Sequence, residues 1–262
     1  MKSVLDVGFA QAPTAEFAIR SQFTSQQLIQ MAKMQDEANT AMSSSAWLDS
    51  TDDDLWYYRA INGELSELSE HIGIKWWKNE HPTTAILQSA LEQARMEVVD
   101  VLHFSLSYFI RAVHKSRQPL EAAINGMAIS TYPNLLRIAR FVNSEDSLDY
   151  SKITINDFVE QCQYMNMCEA GLPINYVLVL AEMLGMTAED LYVAYVGKNV
   201  LNKFRTANGQ RDGSYMKIWN GTEDNEYLTL ETNDSPPEVF DLLDYLTKVY
   251  SEMLENNLAT RG

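Results

Sequence analysis

The chain of 262 residues carries 36 acidic and 20 basic side chains, which gives a formal net charge of −16 at pH 7. So negative a chain is unlike a nucleic-acid-binding protein, because such proteins bind this polyanion mainly through lysines and arginines that neutralise its phosphates. With 46% hydrophobic residues, the composition is that of a globular protein with a substantial core, and we predict a single domain over residues 1–262.

Cysteine content and hydropathy indicate the compartment. Cys162 and Cys168 are the only cysteines and are typical of a reducing environment, since two thiols cannot form a disulfide framework. Residues 1–8 include an acidic side chain where a signal peptide needs an apolar stretch, and the most apolar internal run, 176–184, is short and contains Glu182. We therefore expect a soluble, cytoplasmic protein, located in the host cytoplasm if viral, with no membrane partner.

Apolar residues recur with helical spacing along most of the chain, and no segment alternates apolar and polar residues for more than a few positions. The sequence therefore predicts an all-α helical bundle with a short irregular or hairpin segment near residues 206–235. The predicted helices span about 25–42, 55–72, 84–113, 135–141, 156–170, 175–184, 188–204 and 236–257. Two starts have capping signals: Thr187 with Asp190 is close to a capping box, and residues 235–238 combine a cap, prolines and a glutamate. The last helix has one apolar face, which favours packing or dimerisation.

Two of these helices carry carboxylates three residues apart. Glu64 and Glu67 lie on the second helix, and Glu97 and Asp100 lie on the third, so each pair projects from adjacent turns of one face. Alone, the first pair is typical of a solvated surface. The third helix differs, because its C-terminal half is apolar nearly all round, and charges in such a helix are costly unless a partner neutralises them.

If the second and third helices pack antiparallel, the two pairs converge on one site. Four carboxylates suit Mg²⁺, which prefers oxygen ligands and keeps room for water and phosphate oxygens, and two ions would balance about four negative charges. A salt-bridged cluster is the alternative interpretation. The polar wedge of the third helix (residues 97, 100, 103, 104 and 107) contains no Lys or Arg, and His103 is its only possible cation.

Several longer strings accompany the acidic pairs. They are residues 64–68 (Glu-Leu-Ser-Glu-Leu), 75–78 (Lys-Trp-Trp-Lys), 97–104 (Glu-Val-Val-Asp-Val-Leu-His-Phe) and 195–205 (Tyr-Val-Gly-Lys-Asn-Val-Leu-Asn-Lys-Phe-Arg), the last continuing through 213–225. Together they closely resemble the dimeric all-α dUTPase family, part of a wider group of all-α nucleotide pyrophosphohydrolases that includes MazG-like enzymes. The paired acids mark only the wider group, whereas the 75–78 string and the C-terminal motif narrow the resemblance to dUTPases.

This resemblance implies a homodimeric enzyme of nucleotide metabolism that hydrolyses dUTP to dUMP and pyrophosphate, supplying dUMP biosynthesis, and usually hydrolyses dUDP as well. It implies two or more Mg²⁺ ions, for which Mn²⁺ can substitute. The implied metal ligands are Glu64, Glu67, Glu97 and Asp100. Of these, Glu67 would also orient or deprotonate the attacking water.

The resemblance also implies a set of substrate-binding residues. Those for the base and deoxyribose are Gln35, Asn39, Trp77, His103 and Phe104. Those for the phosphates are Lys198, Asn202, Arg205, Lys217 and Asn225. The chemistry is compatible, because aromatic faces stack on bases and amides both donate and accept at a pyrimidine edge. Lys198, Asn202 and Arg205 are also spaced i, i+4, i+7, which lines them along one helical face as a local positive patch for a triphosphate.

Three positions depart from the family's pattern. Gln210 stands where the family typically has a tyrosine, Thr206 replaces a common glutamine, and Ala38 replaces a favoured leucine. The matched parts are the metal-site core at about 25–113 and the phosphate-binding motif at about 188–225. No motif of the family matches residues 1–24, 115–152 and 230–262.

Three alternatives stay open. Within the same class, the enzyme would hydrolyse dCTP as well as dUTP. A di-iron carboxylate protein is suggested by Asp100 and His103 at i, i+3, although such sites need this motif twice and the sequence has it once. The third alternative is a non-catalytic helical interaction protein, against which the intact acids and phosphate-binding motif argue.

Overall fold

The computed structural model describes residues 22–43, 47–50, 55–73, 88–126, 155–169, 171–231 and 239–259. Within these ranges the chain is mostly helical, and the all-α prediction is confirmed. The helices are α1 (Ser25–Met42), α2 (Leu55–His71), α3 (Gln88–Lys115), α4 (Leu120–Gly126), α5 (Ile155–Glu169), α6 (Ile174–Met183), α7 (Ala188–Ala207), α8 (Asp224–Glu231) and α9 (Val239–Ala259). Strand β1 (Ile218–Trp219) pairs antiparallel with β2 (Thr222–Glu223), which gives the predicted short hairpin.

Local signals determine where two of the long helices begin. The Thr24 hydroxyl accepts from the backbone N–H of Gln27, whose side chain in turn accepts from the backbone of Thr24. The same reciprocal box joins Thr187 and Asp190 at the start of α7, with Asp in the place of the usual Glu. Each box satisfies two backbone donors that a helix N-terminus otherwise leaves without partners.

Two short helices were not predicted. Helix α4 lies between the helices predicted at 84–113 and 135–141, where no helix was predicted, and α8 lies in the segment expected to be irregular or hairpin. Short helices carry too few turns to show a periodic pattern, and packing stabilises them instead: Ile124 of α4 and Leu228 of α8 are buried. The helix predicted near 135–141, the residues expected to begin the third helix at 84–87, and the start signal at 235–238 lie outside the described residues.

Helices α2 and α3 pack antiparallel, as predicted. The start of α2 meets the end of α3, where the Arg111 guanidinium lies 5.9 Å from the centre of the Tyr57 ring. The end of α2 meets the first half of α3, where His71 Nε2 lies 3.3 Å from Glu97 Oε1. Helix α3 is the centre of the main core, and its residues Val98, Val99, Val101 and Leu102 are fully buried.

A second, smaller core holds the C-terminal elements on the end of α7. Phe204 of α7 packs edge-on against Trp219 of the hairpin and Tyr250 of α9. Leu242, Leu246 and Met253 bury the apolar face of α9 in the same cluster, so the predicted packing role of this helix is confirmed. No helix among the described residues is long and apolar enough to cross a membrane.

Candidate functional site

Three of the four predicted metal ligands lie together. Oxygens of Glu64 and Glu67 from α2 and of Glu97 from α3 all lie within 4.8 Å of one another. The arrangement follows from the packing of α2, because its residues Leu65 and Leu68 are fully buried and thereby direct the flanking glutamates along the α3 side. We call Glu64, Glu67 and Glu97 the carboxylate trio.

The carboxylate trio is electrostatically strained. Burial, together with the charges of Asp100 and Glu97, raises the pKa of Glu64 to about 8. Burial and the Asp100 charge also raise the pKa of Glu97. Carboxylates that are partly buried and close to one another disfavour the ionised form, and a bound cation removes both penalties. The trio is therefore chemically suited to a divalent cation that takes oxygen ligands.

Asp100, the fourth predicted ligand, is bonded to a lysine. Lys198 Nζ from α7 lies 2.8 Å from Asp100 Oδ2, and the lysine side chain is 5% exposed. The polar wedge of α3 contains no Lys or Arg, and the sequence does not indicate that α7 brings a lysine to it. Part of the salt-bridged alternative is thus correct, although the Lys198 ammonium contacts Asp100 and not the trio.

The residues predicted to read the base form a hydrogen-bonded cluster between α1 and α3. His103 Nδ1 lies 2.7 Å from Gln35 Oε1, and Gln35 Nε2 donates to Asn39 Oδ1 at 3.1 Å. Asn39 Nδ2 donates to Ser107 Oγ at 3.0 Å, and Ser107 Oγ donates to the backbone carbonyl of His103 at 2.9 Å. These bonds join the four residues in a closed ring, which we call the hydrogen-bond cycle.

Tyr195 of α7 joins the cycle and is missing from the predicted site. Its hydroxyl lies 2.8 Å from Gln35 Oε1, and its ring stacks on the His103 ring with the centroids 4.3 Å apart. Tyr195 is fully buried. It stands at the start of the 195–205 string, so a family motif contained it, but nothing in that string indicates its partner on α1.

His103 is a neutral core histidine in this environment. It is 6% exposed, and burial lowers the pKa of its imidazole to about 4. His103 is the only possible cation of the polar wedge, but the ring stays uncharged here because desolvation disfavours the charged form more than the Asp100 charge favours it. Of the other two predicted base and sugar contacts, Phe104 packs against the main core, and Trp77 lies outside the described residues.

The predicted phosphate-binding side chains are held in a second network. Arg205 Nε and Nη2 donate to the two carboxylate oxygens of Asp224 at 2.8 and 2.7 Å. The same guanidinium donates to Asn225 Oδ1 at 2.9 Å and to Asn202 Oδ1 at 3.3 Å. The Tyr215 hydroxyl donates to Asp224 at 2.6 Å, and burial with the neighbouring carboxylate raises the pKa of that phenol.

This network changes the interpretation of the i, i+4, i+7 spacing. Lys198 and Arg205 lie on α7 as predicted. Each faces a carboxylate, Asp100 for Lys198 and Asp224 for Arg205, and Lys217 lies 3.1 Å from Glu223 in an exposed pair. Helical spacing predicts which residues share a face, whereas the partners depend on which elements pack there.

Comparison with known proteins identifies a family. The family model described as dUTPase matches residues 27–210, which is more than two thirds of the chain and runs from α1 to the end of α7. The matched span contains the carboxylate trio, Asp100, Lys198 and the hydrogen-bond cycle, and it ends before the hairpin. No curated protein gave a match. With an all-α fold and a family match over most of its length, this chain belongs to the all-α dUTPase family.

Proposed function

We propose that the protein is a dUTP diphosphatase that hydrolyses dUTP to dUMP and pyrophosphate, and also dUDP to dUMP, with divalent metal ions held by the carboxylate trio and Asp100. The observation that carries the proposal is the trio itself, with its oxygens within 4.8 Å of one another and the pKa of Glu64 raised to about 8. Membership of the family supports a nucleotide substrate.

The donors present fit Mg²⁺. All are carboxylate oxygens, the ligands that a small hard cation prefers, and Mn²⁺ takes the same set. We propose two or more ions, since four carboxylates carry about four negative charges. When bound, such ions lower the pKa of water and polarise phosphoryl oxygens. Among the trio, Glu67 is the exposed member, which suits it to orient the attacking water and take its proton.

The remaining predicted residues would bind the nucleotide. Lys198 lies beside the acidic residues, bonded to Asp100, and its ammonium would contact the phosphates from α7. Lys217 would add a second positive charge from the hairpin region. Gln35, Asn39 and His103, with Phe104 and Trp77, would contact the base and sugar. Arg205 is nearly enclosed by its carboxylate and amide partners, so we propose that it holds Asn202 and Asn225 in place for the phosphates.

The direct test is product analysis with a panel of nucleotides. Purified protein is incubated with dUTP, dCTP, dTTP, dATP, dGTP or dUDP, and pyrophosphate, inorganic phosphate and the monophosphate are quantified with Mg²⁺, with Mn²⁺ and with EDTA. We expect dUTP to give dUMP and pyrophosphate, dUDP to give dUMP and phosphate, and EDTA to abolish both reactions. Equal rates for dUTP and dCTP would support the broader alternative, and no turnover of any nucleotide would contradict the proposal. Light scattering on the same sample tests the proposed homodimer.

A pH experiment tests the metal site without substrate. Because the folded protein raises the pKa of Glu64 from its ordinary 4.5 to about 8, the folded state binds a proton that the unfolded chain has released between those pH values. The free energy of unfolding in EDTA should therefore fall as the pH rises from about 5 to about 8, and Mg²⁺ should offset that fall, since metal ligands must lose their protons. Urea unfolding at several pH values measures both effects.

Glu64→Gln is the control for the pH experiment. An amide does not titrate, so the variant should lose much of the pH-dependent decline and respond less to Mg²⁺. If wild type and Glu64→Gln show the same pH dependence in EDTA, the raised pKa of Glu64 is not the cause. If Mg²⁺ leaves the unfolding of the wild type unchanged at pH 8, the trio does not bind the ion.

A further inference from the structure

The last residue of α2, His71, lies at the edge of the carboxylate trio. Its ring atom Nε2 is 3.3 Å from Glu97 Oε1 of α3. Helical spacing explains the position, because His71 comes four residues after Glu67 and seven after Glu64, and one stripe of α2 therefore carries all three side chains. The histidine adds a nitrogen donor beside a site whose other donors are all carboxylate oxygens.

The distance between His71 Nε2 and Glu97 Oε1 is compatible with two ligands of one ion. In an octahedral site with metal–ligand bonds of about 2.1 Å, neighbouring ligand atoms lie about 3 Å apart. The two atoms in the protein, at 3.3 Å, are only slightly more widely separated. A small rotation of either side chain therefore lets a single cation contact both atoms.

The surroundings also allow a cation to reach the ring. The side chains of His71 and Glu97 are 27% and 15% exposed, so an ion can approach them from solvent. The other end of the acidic site differs, because the Lys198 ammonium lies 2.8 Å from Asp100 and repels a cation there. A neutral imidazole instead offers a lone pair, so the Glu97 end is the one that favours an ion.

An imidazole ligand changes which ion a carboxylate site prefers. Mg²⁺ takes oxygen ligands and retains several of its waters, whereas imidazole nitrogen is a favourable ligand for first-row transition metals. A nitrogen from His71 beside the carboxylate trio should therefore increase the affinity for Mn²⁺ and Co²⁺ more than the affinity for Mg²⁺. The three carboxylates alone supply only the oxygen ligands that all of these ions accept.

We propose that His71 Nε2 is a further ligand of the metal site, sharing an ion with Glu97, and that it shifts the selectivity of the site from Mg²⁺ toward Mn²⁺ and Co²⁺. The proposal rests on the proposed function in one respect only, that the carboxylate trio binds divalent cations. The competing role for His71 is that of a partner that contacts Glu97 and stays outside the shell of ligands. Such a partner would support the binding of all three ions alike.

The first test detects the nitrogen directly and needs no nucleotide. Electron spin echo envelope modulation of Mn²⁺ bound to the full-length protein reports nitrogen that is coordinated to the ion. We expect a ¹⁴N signal in wild type that is replaced by a ¹⁵N signal when only the histidines carry ¹⁵N. The signal should disappear in His71→Gln.

His114→Gln is the matched control for the spectroscopic test. His114 also faces a carboxylate, with Nε2 2.8 Å from Asp49 Oδ1, but it lies in the last turn of α3, away from the trio. This variant should keep the nitrogen signal. Bound Mn²⁺ without a histidine signal, or a signal that persists in His71→Gln, overturns the proposal and leaves the metal site of the proposed function intact. If wild type binds no Mn²⁺, the metal site and the role of His71 fail together.

The second test measures selectivity by calorimetric titration of the protein with each metal ion alone. Glutamine is the replacement because its amide still donates a hydrogen bond to Glu97 but offers no imidazole nitrogen. His71→Gln should raise the Kd for Mn²⁺ and for Co²⁺ about tenfold and change the Kd for Mg²⁺ by less than about twofold. His114→Gln should change none of the three. Equal weakening of all three ions in His71→Gln, or no change in any of them, contradicts a role as ligand.

Discussion

Glu67→Gln is expected to lower kcat for dUTP by about a thousandfold, which is within the range for loss of a general base. Glu67 is the exposed member of the carboxylate trio, on the α2 face that meets Glu97. A neutral amide cannot take the proton of an attacking water, and it is a weaker ligand for a hard cation than a carboxylate. Initial rates of pyrophosphate release over a range of dUTP and Mg²⁺ concentrations separate the two effects. A loss of base function persists at saturating Mg²⁺, whereas weakened metal binding is partly restored.

The chain offers a matched control one helical turn further on. Glu70 is also an exposed glutamate of α2, but it lies outside the trio. Glu70→Gln should leave kcat within about twofold of wild type, since surface substitutions away from a site have small effects. If Glu67→Gln and Glu70→Gln both keep the wild-type rate, Glu67 is not the base. If the two variants lose activity equally, the effect comes from the charge of the α2 surface and not from the trio.

The carboxylate trio was predictable because it depends on local periodicity and one assumption about packing. Spacing of three residues places Glu64 with Glu67, and Glu97 with Asp100, on single helix faces, and the loop between the two helices allows them to pack antiparallel. Spacing does not indicate that a further helix, α7, packs over this site. Lys198 reaches Asp100 from 98 residues further along the chain, and nothing local to either residue signals that contact.

For uncharged residues too, the sequence does not indicate which helices make contact, and the hydrogen-bond cycle is an example. Sequence motifs indicated Gln35, Asn39 and His103 as individual contacts for a base. Their mutual bonds depend on α1 and α3 lying side by side, and the two bonds of Ser107 depend on its position one turn after His103. A serine in an apolar helix is ordinarily interpreted as bonding its own backbone, which Ser107 also does. Its second bond, from Asn39, becomes visible only with the structure.

The C-terminal network links stability to the geometry of the candidate site. Arg205 ends the functional face of α7, and Asp224 begins α8 directly after the hairpin. Their bond therefore ties the end of α7 to the start of α8. Asn202 and Asn225, both predicted phosphate contacts, bond the same guanidinium. Loss of the Arg205 and Asp224 pair should consequently affect folding and substrate binding together.

Asp224→Asn is expected to reduce the free energy of unfolding by about 3–5 kcal/mol, the typical cost of removing one partner from a buried ion pair. The Asp224 side chain is fully buried and that of Arg205 is 10% exposed. An asparagine keeps the shape but cannot neutralise the guanidinium, which then stays buried without its counter-charge. Its amide also replaces one of the two oxygens that Arg205 Nε and Nη2 contact. Urea unfolding followed by circular dichroism measures the loss, and KM for dUTP should rise in the same variant as Asn225 loses its fixed position.

Glu37→Gln is the control for this prediction, because it removes an ion pair made by the same helix two residues earlier. Lys203 of α7 lies 2.8 Å from Glu37, but the side chains of that pair are 37% and 68% exposed. Water and salt screen such a pair, so its loss should cost no more than about 1 kcal/mol. The comparison keeps the helix, the charge change and the type of substitution constant, and varies burial. Equal losses in the two variants would mean that burial of the Arg205 and Asp224 pair does not determine its contribution. A small loss in Asp224→Asn alone would mean that the hairpin and α9 hold the end of α7 without it, through the packing of Phe204 against Trp219 and Tyr250.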